Sequence, residues 1–236
     1  MTTVYISHPA CLEHETGSDH PESRQRLYAI EDALISAGLM NLLRRIDAPR
    51  VTREQLCRVH SPAYVDEIER LAPQSDLLTL DADTVMGPHS LEAACRAAGA
   101  MVQGVDMVTG GETDTVFCAT RPPGHHAGRS SAMGFCIFNN VAVGAAHALA
   151  AGLERVAIVD FDVHHGNGTE SIFQTDDRVM LCSVFQHPYY PGTDPVTDSD
   201  HIIHAPLRSG AYSEEFQQTI KHHLLPALHG FRPELI

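Results

Sequence analysis

Val-Ala-Ile-Val-Asp-Phe-Asp-Val-His-His-Gly-Asn-Gly, residues 156–168, begins as an apolar run and ends as a polar cluster. An unbroken apolar run bounded by turn residues is typical of a central strand that is buried on both faces. Beyond it, Asp160, Asp162 and His164 lie two residues apart, so on an extended chain they point the same way. Buried charges need a partner, and carboxylates with an imidazole suit zinc and similar divalent ions. We therefore predict a metal site here, with a solvated strand end as the alternative.

Length and composition exclude several classes of protein. The chain has 236 residues, a formal charge of −14 and 43% apolar residues, which is ordinary for a globular protein. The acidic balance argues against binding to a nucleic-acid backbone, which needs basic patches, and mildly favours a cationic substrate. No apolar run approaches the roughly 20 residues that span a bilayer, and the N-terminus lacks a signal-peptide pattern. We expect a cytoplasmic protein that binds neither nucleic acid nor membrane.

Strand patterns alternate with helical repeats along the chain. Strand patterns cover residues 4–7, 115–120, 156–159, 178–185 and 201–207. Helical repeats cover residues 26–38, 91–108, 139–151, 168–173 and 212–228. Such alternation predicts an α/β fold with a mainly parallel β-sheet and helices on both faces. Because no internal repeat, low-complexity segment or linker interrupts it, residues 1–236 are predicted to form one domain.

Polar clusters follow three of the predicted strands, at residues 121–126, 160–164 and 187–192. Open α/β sheets bind ligands outside the carboxyl ends of their strands, so these clusters are expected at one ligand site. The loop of residues 72–88 carries Asp76, Asp81 and Asp83. These acids are interpreted first as a solvated loop, and alternatively as a rim that meets a cation.

The first polar cluster contains an adjacent pair, His125 and His126. Alone, such a pair is as often structural as functional, but beside a metal strand a catalytic role is favoured. An imidazole with a pKa near ~6.5 takes up and returns a proton at neutral pH. A carboxylate or amide behind each ring would fix its tautomer, and Asp160 and Asn167 are the candidates.

Several motifs resemble signatures of the zinc-dependent histone deacetylase superfamily, in its class II and bacterial branches. The long ones are Arg121-Pro122-Pro123-Gly124-His125-His126-Ala127, Gly134-Phe135-Cys136-Ile137-Phe138-Asn139-Asn140 and Asp160-Phe161-Asp162-Val163-His164-His165-Gly166-Asn167-Gly168-Thr169. The short ones are His20-Pro21-Glu22, Val59-His60-Ser61-Pro62 and Tyr190-Pro191-Gly192-Thr193. The resemblance follows the family's order from residue 1 to 236. It implies an arginase-like α/β fold and hydrolysis of an N-acetyl amide to acetate and a free amine.

The resemblance also implies roles for individual residues in metal binding and catalysis. Asp162 and His164 would be two zinc ligands. His126 would be the general base toward the attacking water and then the acid toward the leaving amine. His125, the more buried of the pair, would be paired with Asp160 and stabilise charge, and Asn167 would hold His126. A potassium ion would lie beside the zinc, held by Asp160, Asp162, His164, Ser183 and Val184.

Substrate contacts follow from the same resemblance. Phe135 and Tyr190 would wall a narrow apolar tunnel that suits the methylene chain of a lysine. The Gly134 carbonyl would accept the substrate amide hydrogen, and Arg26 would line a cavity below the zinc. Some members clamp the substrate backbone with an Asp before a Cys-Pro step. The matching place here is Met86-Gly87-Pro88, with Asp83 near but shifted.

The chain also departs from the family pattern. The family's third zinc ligand, an Asp, and its oxyanion-stabilising Tyr belong to motifs that would lie beyond Ile236. The final strands and helices of the fold are therefore expected to be missing from residues 1–236, and the domain to be incomplete at its C-terminus. A homo-oligomer or a second chain that supplies the missing segment is the expected protein partner.

These observations favour a zinc-dependent deacetylase that acts on acetyl-lysine of proteins or peptides, with Zn²⁺ and K⁺ as cofactors. An acetylpolyamine amidohydrolase is the alternative within the same chemistry. A manganese hydrolase of the arginase type is disfavoured by the Arg-Pro-Pro-Gly-His-His and Gly-Phe-Cys-Ile-Phe-Asn motifs. From another class, a non-catalytic binding or scaffold protein stays open, because this chain lacks two functional groups of the family.

Overall fold

The computed structural model describes residues 3–192 and 199–236. Within it the chain divides into two compact units, Met1–His147 and Ala148–Ile236. In both units short parallel strands alternate with helices, so the predicted α/β class is confirmed. Among the described residues, no helix is long and apolar enough to cross a membrane.

The first unit is built on a three-stranded parallel sheet. Its elements in chain order are β1 (Thr3–Ser7), α1 (Gln25–Ser36), β2 (Leu43–Asp47), α2 (Arg53–Leu56), α3 (Pro62–Leu71), β3 (Leu78–Thr79), β4 (Val85–Met86), α4 (Ser90–Thr109), β5 (Thr115–Cys118) and α5 (Asn140–Ala150). The strand order is β2-β1-β5, and β3 and β4 form a separate antiparallel pair. The carboxyl end of β5 leads directly into the Arg121–His126 segment.

Helices cover both faces of this sheet. Because side chains alternate along β1, successive residues of this strand contact helices on opposite faces. Val4 and Ile6 point to one face and pack with Ala100 and Met107 of α4. Tyr5 points to the other face and packs with Leu27 of α1. The two contacts with helices fix the central strand from both sides.

The second unit has its own three-stranded parallel sheet. Its elements are β6 (Val156–Asp160), α6 (Asn167–Phe173), β7 (Val179–Gln186), β8 (Ile202–Leu207), α7 (Ser213–Thr219), a π-helical turn (Ile220–Leu224) and α8 (Leu225–Phe231). The strand order is β6-β7-β8. One face of the sheet, including Ala157, Met180 and Ala205, packs against the C-terminal helices through Leu224 and Leu228.

Most predicted elements are confirmed within one or two residues, but four details differ. The described strands form two parallel sheets and a short hairpin, where a single sheet was expected. β2 was not predicted, because its central pair Arg44-Arg45 hides the apolar pattern of an edge strand. β5 is only half-buried, since it too is an edge strand. The last predicted helix contains a π-helical turn just before Pro226, where the missing proline N–H interrupts regular hydrogen bonding.

Candidate active site

The His125–His126 pair lies in the loop that follows β5. The two ring centroids are 4.0 Å apart. His126 is buried, with 4% of its surface exposed, and His125 is only half-buried. The expectation that His125 is the more buried partner is therefore wrong. The reason is local, because the chain at Gly134 folds tightly over the ring of His126.

That covering turn, Gly134–Phe135, has an unusual backbone. Gly134 has φ 55° and Phe135 has φ 70°, the left-handed region that residues with side chains rarely adopt. A Cβ at Gly134 would lie 2.3 Å from Cδ2 of His126, so only glycine fits at this position. The Gly134 carbonyl, the predicted acceptor for the substrate amide, lies 3.2 Å from the Cys136 thiol sulfur, which donates to it. The turn thus places Phe135 and the Gly134 carbonyl beside the buried imidazole.

Arg121, the first residue of the His-pair motif, is fully buried and pairs with Glu22. Its Nε lies 2.7 Å and its Nη2 lies 2.5 Å from the two carboxylate oxygens of Glu22. The remaining donors reach the carbonyls of Cys11 and His14, at 2.8 and 3.1 Å. Burial would raise the pKa of Glu22, but hydrogen bonds and charge from Arg121 outweigh it and hold that pKa below its usual range. This pair, which the sequence did not reveal, ties the His20–Glu22 turn to the start of the His-pair loop.

His14 and Arg26 complete the surroundings of Glu22. Burial lowers the pKa of His14 to about 4, so its imidazole is neutral at pH 7. Its Nδ1 is hydrogen bonded to the Ser90 hydroxyl at 2.6 Å. Arg26, predicted to line a cavity below the metal, donates to the Thr120 carbonyl at 2.9 Å and lies 3.6 Å from Glu22. Whether Arg26 lines such a cavity stays a prediction.

The Val59–Pro62 motif supports the segment that follows the His125–His126 pair. His60 is fully buried, and its Nε2 accepts a hydrogen bond from the Asn139 N–H at 2.9 Å. Its Nδ1 therefore carries the proton and donates to the Gly128 carbonyl at 2.9 Å. Burial lowers the pKa of His60 to about 4, which keeps it neutral. His60 is thus a structural histidine that joins both ends of the segment between the His pair and α5.

The predicted metal-strand residues lie in the second unit. β6 ends at Asp160, and the backbone amide of Asp162 donates to Asp160 Oδ1 at 3.1 Å. Asp162 Oδ1 in turn accepts from the His164 amide at 2.8 Å and lies 2.9 Å from His164 Nδ1. A carboxylate and an imidazole are therefore adjacent, as two ligands of one ion would be. The expected burial is wrong for Asp162, whose side chain is 50% exposed, because the strand ends two residues earlier.

Two tyrosines surround His164. Tyr190, predicted to wall the tunnel, meets the imidazole edge-on with ring centroids 5.7 Å apart. Tyr189, for which no role was predicted, stacks on the same ring with centroids 5.2 Å and planes only 10° apart. Thr193, the last residue of that motif, lies outside the described residues. The two tyrosines limit the rotation of the His164 imidazole.

Three of the five predicted potassium residues, Asp160, Ser183 and Val184, lie on neighbouring strands of the sheet. Asp160 pairs in register with Ser183 of β7, and Ser183 and Val184 are buried. The Ser183 hydroxyl oxygen is buried without a hydrogen-bond partner. A hard cation held by oxygen atoms would satisfy such a group, so these residues fit the ion that the resemblance implies.

A second cluster in this unit was not predicted. In the part of the chain that the structure describes, His165, Glu170 and His204 are the group of ionisable side chains close enough to share an ion. Nε2 of each imidazole lies 2.7 Å from the same Glu170 oxygen. These hydrogen bonds satisfy the two Nε2 atoms and the Glu170 carboxylate, whereas Nδ1 of His165 is buried without a hydrogen-bond partner. The sequence held one usable signal, because Glu170 follows His165 closely and lies one helical turn into α6.

We expect Glu170→Gln to reduce stability in a pH-dependent way. Burial would raise the pKa of Glu170, but hydrogen bonds from His165 and His204 outweigh it and lower the pKa from 4.5 to about 2. A lowered carboxyl pKa stabilises the fold above pH 4.5, and this contribution is lost as pH falls toward about 2. Because solvent screens a half-buried group, the expected difference in free energy of unfolding is about 1–2 kcal/mol at pH 7. Denaturant titrations at several pH values measure it.

Glu214→Gln is the matched control for that variant, because Glu214 is an exposed glutamate in the first turn of α7. Its unfolding curve should follow the unmodified protein at each pH. Equal stability of Glu170→Gln and the unmodified protein at pH 7 would contradict a stabilising role for the cluster.

The predicted site residues thus fall in two groups. The His125–His126 pair, Gly134, Phe135, Asp83 and Arg26 belong to the first unit, and Asp160, Asp162, His164, Asn167, Ser183, Val184 and Tyr190 belong to the second. The contacts described above join only some members of each group, such as His125 to His126 in the first and Asp162 to His164 in the second. The pairing of His125 with Asp160 and of His126 with Asn167 stays a prediction.

Comparison with known proteins identifies relatives of this chain. A family model described as histone deacetylase domain matches residues 20–236. An uncharacterized protein of Synechocystis is 41% identical over 95% of this chain and 76% of its own length. A histone deacetylase-like amidohydrolase of Pseudomonas aeruginosa is 36% identical, with 98% and 61% covered. A probable deacetylase of Archaeoglobus fulgidus is 32% identical, with 100% and 67% covered. The crystal structure of the HDA15 HD domain matches 98% of this chain and 70% of that one, at 34% identity and a TM-score of 0.92.

Proposed function

Because the chain belongs to the histone deacetylase family, we propose that it is a zinc-dependent amide hydrolase that removes acetyl groups from N-acetyl-lysine of proteins or peptides. The observation that carries the proposal is the His125–His126 pair, with His126 buried beneath the Gly134–Phe135 turn. A buried imidazole beside a carbonyl acceptor and an aromatic wall is suited to proton transfer on a bound amide. The chain spans about three fifths to three quarters of the relatives described above.

Asp162 and His164 would hold the zinc ion. Their ligand atoms are 2.9 Å apart, and stacking on Tyr189 fixes the imidazole. When bound, zinc supplies a Lewis acid that polarises the acyl carbonyl and lowers the pKa of a water molecule. Potassium would be held by the adjacent oxygen atoms, including the unpartnered Ser183 hydroxyl.

Histidine residues would carry the proton steps. His126 takes a proton from the attacking water and returns it to the nitrogen of the leaving amine when the C–N bond breaks. His125, packed against it at 4.0 Å, stabilises the charge that develops on the pair. The Gly134 carbonyl accepts the substrate N–H, which orients the amide for attack.

Phe135 and Tyr190 would select an apolar methylene chain, which lysine and polyamines share. The acidic loop offers one criterion between these substrates. Asp81 Oδ1 accepts the backbone amides of Asp83 and Thr84, and Asp83 Oδ1 accepts the amide of Gly134. These hydrogen bonds give the two acids a structural role in the loop, so their presence does not require a polyamine cation as the substrate.

Acetate release tests the proposal directly. Zinc-loaded protein is mixed with an acetyl-lysine peptide or an acetylated polyamine, each with and without a chelator. Chelator-sensitive release, faster with the peptide, is the expected result. Faster release from the polyamine would show that acetylated polyamines, and not acetyl-lysine peptides, are the preferred substrates. Release that resists the chelator would overturn the role of zinc. No release from a folded preparation would overturn the enzyme proposal for this chain and favour the scaffold alternative.

Zinc content provides a readout that does not depend on turnover. Asp162→Asn and His164→Ala should each reduce zinc retained after gel filtration, because each removes one of two ligands. A scaffold without a metal site would retain little zinc in any form.

A further inference from the structure

We propose that Asp83, Thr84 and His20, together called the loop clamp, position the Gly134–Phe135 turn and, through it, His126. This inference rests on the proposed function and deepens it, since it assigns positioning residues to the same site. It also gives Asp83 a different role from the substrate contact that its sequence position suggested.

Two side chains of the loop clamp hold the turn by its backbone. Asp83 Oδ1 accepts a hydrogen bond from the Gly134 amide at 3.2 Å, and Thr84 Oγ1 accepts one from the Phe135 amide at 3.0 Å. Thr84 is fully buried. Both residues of this turn have positive φ, which glycine adopts readily but phenylalanine does not. The hydrogen bond from Phe135 to Thr84 therefore acts where the backbone is least favourable.

His20 holds the third side of the turn. Its Nδ1 accepts from the Glu22 amide at 3.1 Å, so Nε2 carries the proton and donates to the Asp83 carbonyl at 3.0 Å. The edge-on contact of its ring with Phe135 has a centroid distance of 4.8 Å. One imidazole therefore contacts the acidic loop and the aromatic wall together.

The loop that carries Asp83 and Thr84 is ordered by a side chain of its own, that of Asp81. Asp81 Oδ1 accepts from both the Asp83 amide, at 3.1 Å, and the Thr84 amide, at 2.8 Å. Such side-chain caps fix a turn without regular secondary structure. Burial and the neighbouring Asp81 carboxylate raise the pKa of Asp83, which agrees with a carboxyl group drawn into the fold.

The turn transmits this position to His126. The position of a Cβ on Gly134 would be 2.3 Å from Cδ2 of the imidazole, so the two groups are in close contact. If the clamp is released, the backbone at Phe135 is free to return to negative φ. Both the aromatic wall and the cover over His126 then move. Misplacement by about 1 Å is enough to reduce an enzyme rate by about 100-fold.

Two roles for Asp83 lead to different kinetic predictions. In one, Asp83 holds the backbone of a peptide substrate at the rim of the site; in the other, it belongs to the loop clamp. A rim residue would affect KM, and only for substrates with a peptide backbone. A positioning residue affects kcat, and does so equally for a peptide and for a small N-acetyl-lysine amide, because both use His126.

Four variants test the inference in the full chain. Asp83→Ala and Thr84→Val each remove one acceptor, and Val nearly preserves the shape of the buried Thr84. Asp83→Asn keeps an oxygen that can accept from Gly134. Asp76→Asn is the matched control, because Asp76 is exposed on the same loop and is hydrogen bonded to Ser75.

Amide hydrogen exchange is the first readout, since it needs no turnover. We expect the Gly134 amide in Asp83→Ala and the Phe135 amide in Thr84→Val to exchange about tenfold faster. Asp83→Asn and Asp76→Asn should match the unmodified protein. Unchanged exchange in both Asp83→Ala and Thr84→Val would overturn the inference. If Asp83→Ala does not fold, Thr84→Val decides.

Kinetics supply the second readout. Asp83→Ala and Thr84→Val should lower kcat about 10- to 100-fold, with KM changed less than about threefold. Asp83→Asn should recover most of kcat. A change in KM confined to peptide substrates would overturn positioning in favour of the rim role. If the unmodified protein shows no turnover, the proposed function fails, and hydrogen exchange alone still decides whether the clamp holds the turn.

Discussion

Replacing His126 with alanine should lower acetate release by about 10³-fold, while the protein stays folded. The change removes the group proposed to take a proton from water and return it to the leaving amine, and such groups contribute about 10²- to 10⁴-fold. The imidazole is 4% exposed and lies against Gly134, so water cannot readily replace it. Steady-state kinetics with an acetyl-lysine peptide measure the loss.

His89→Ala is the control for that variant, because His89 is largely exposed at the start of α4. It should retain full turnover. Circular dichroism and thermal unfolding show whether His126→Ala is folded, as a buried cavity of this size has its own cost in stability. Turnover within a few-fold of the unmodified protein would rule out His126 as the base.

Replacing Arg121 with methionine should destabilise the protein by about 3–5 kcal/mol. The change leaves the Glu22 carboxylate buried without its partner, with 4% of its side chain exposed, and removes the donors to the Cys11 and His14 carbonyls. Arg121→Lys should recover only part of the loss, because an ammonium group cannot donate to both carboxylate oxygens in the same plane. Urea unfolding measures each difference.

The Glu22→Gln, Arg121→Met double variant separates the charge from the packing. Its cost should be smaller than the sum of the two single changes, because no unpaired charge remains in the double variant. The folded pKa of Glu22 is lowered, so its contribution is present above the ordinary glutamate pKa and is lost as pH falls. Additive costs at neutral pH would contradict the coupling between the two residues.

These two predictions concern different parts of one design. The turn at residues 20–22 contributes to both features. Its His20 contacts Asp83 and Phe135, and its Glu22 pairs with Arg121. The pair supports the start of the loop, and the clamp supports the turn that covers its end. Stability should therefore depend mainly on the ion pair, and turnover mainly on the clamp.

The fold class and the family could be predicted from the sequence alone. The apolar run of residues 156–159, the His pair after β5 and the helical repeats of α1 and α4 are local patterns that need no tertiary information. Asp162 does lie next to His164, as the spacing predicted, but a turn beyond the end of β6 makes the contact, where an extended chain was expected. Such features are readable because periodicity and turn residues act over a few positions.

Which polar groups are buried, and what they contact, became known from the three-dimensional structure. It buried His126 more deeply than His125, exposed Asp162, and joined Glu22 to Arg121 across 99 residues. It also turned Asp83 toward Gly134 and brought His165 and His204 to one oxygen of Glu170. The physical reason is that burial and hydrogen bonding depend on segments distant in sequence, whereas the pattern of a single segment reports only its own periodicity.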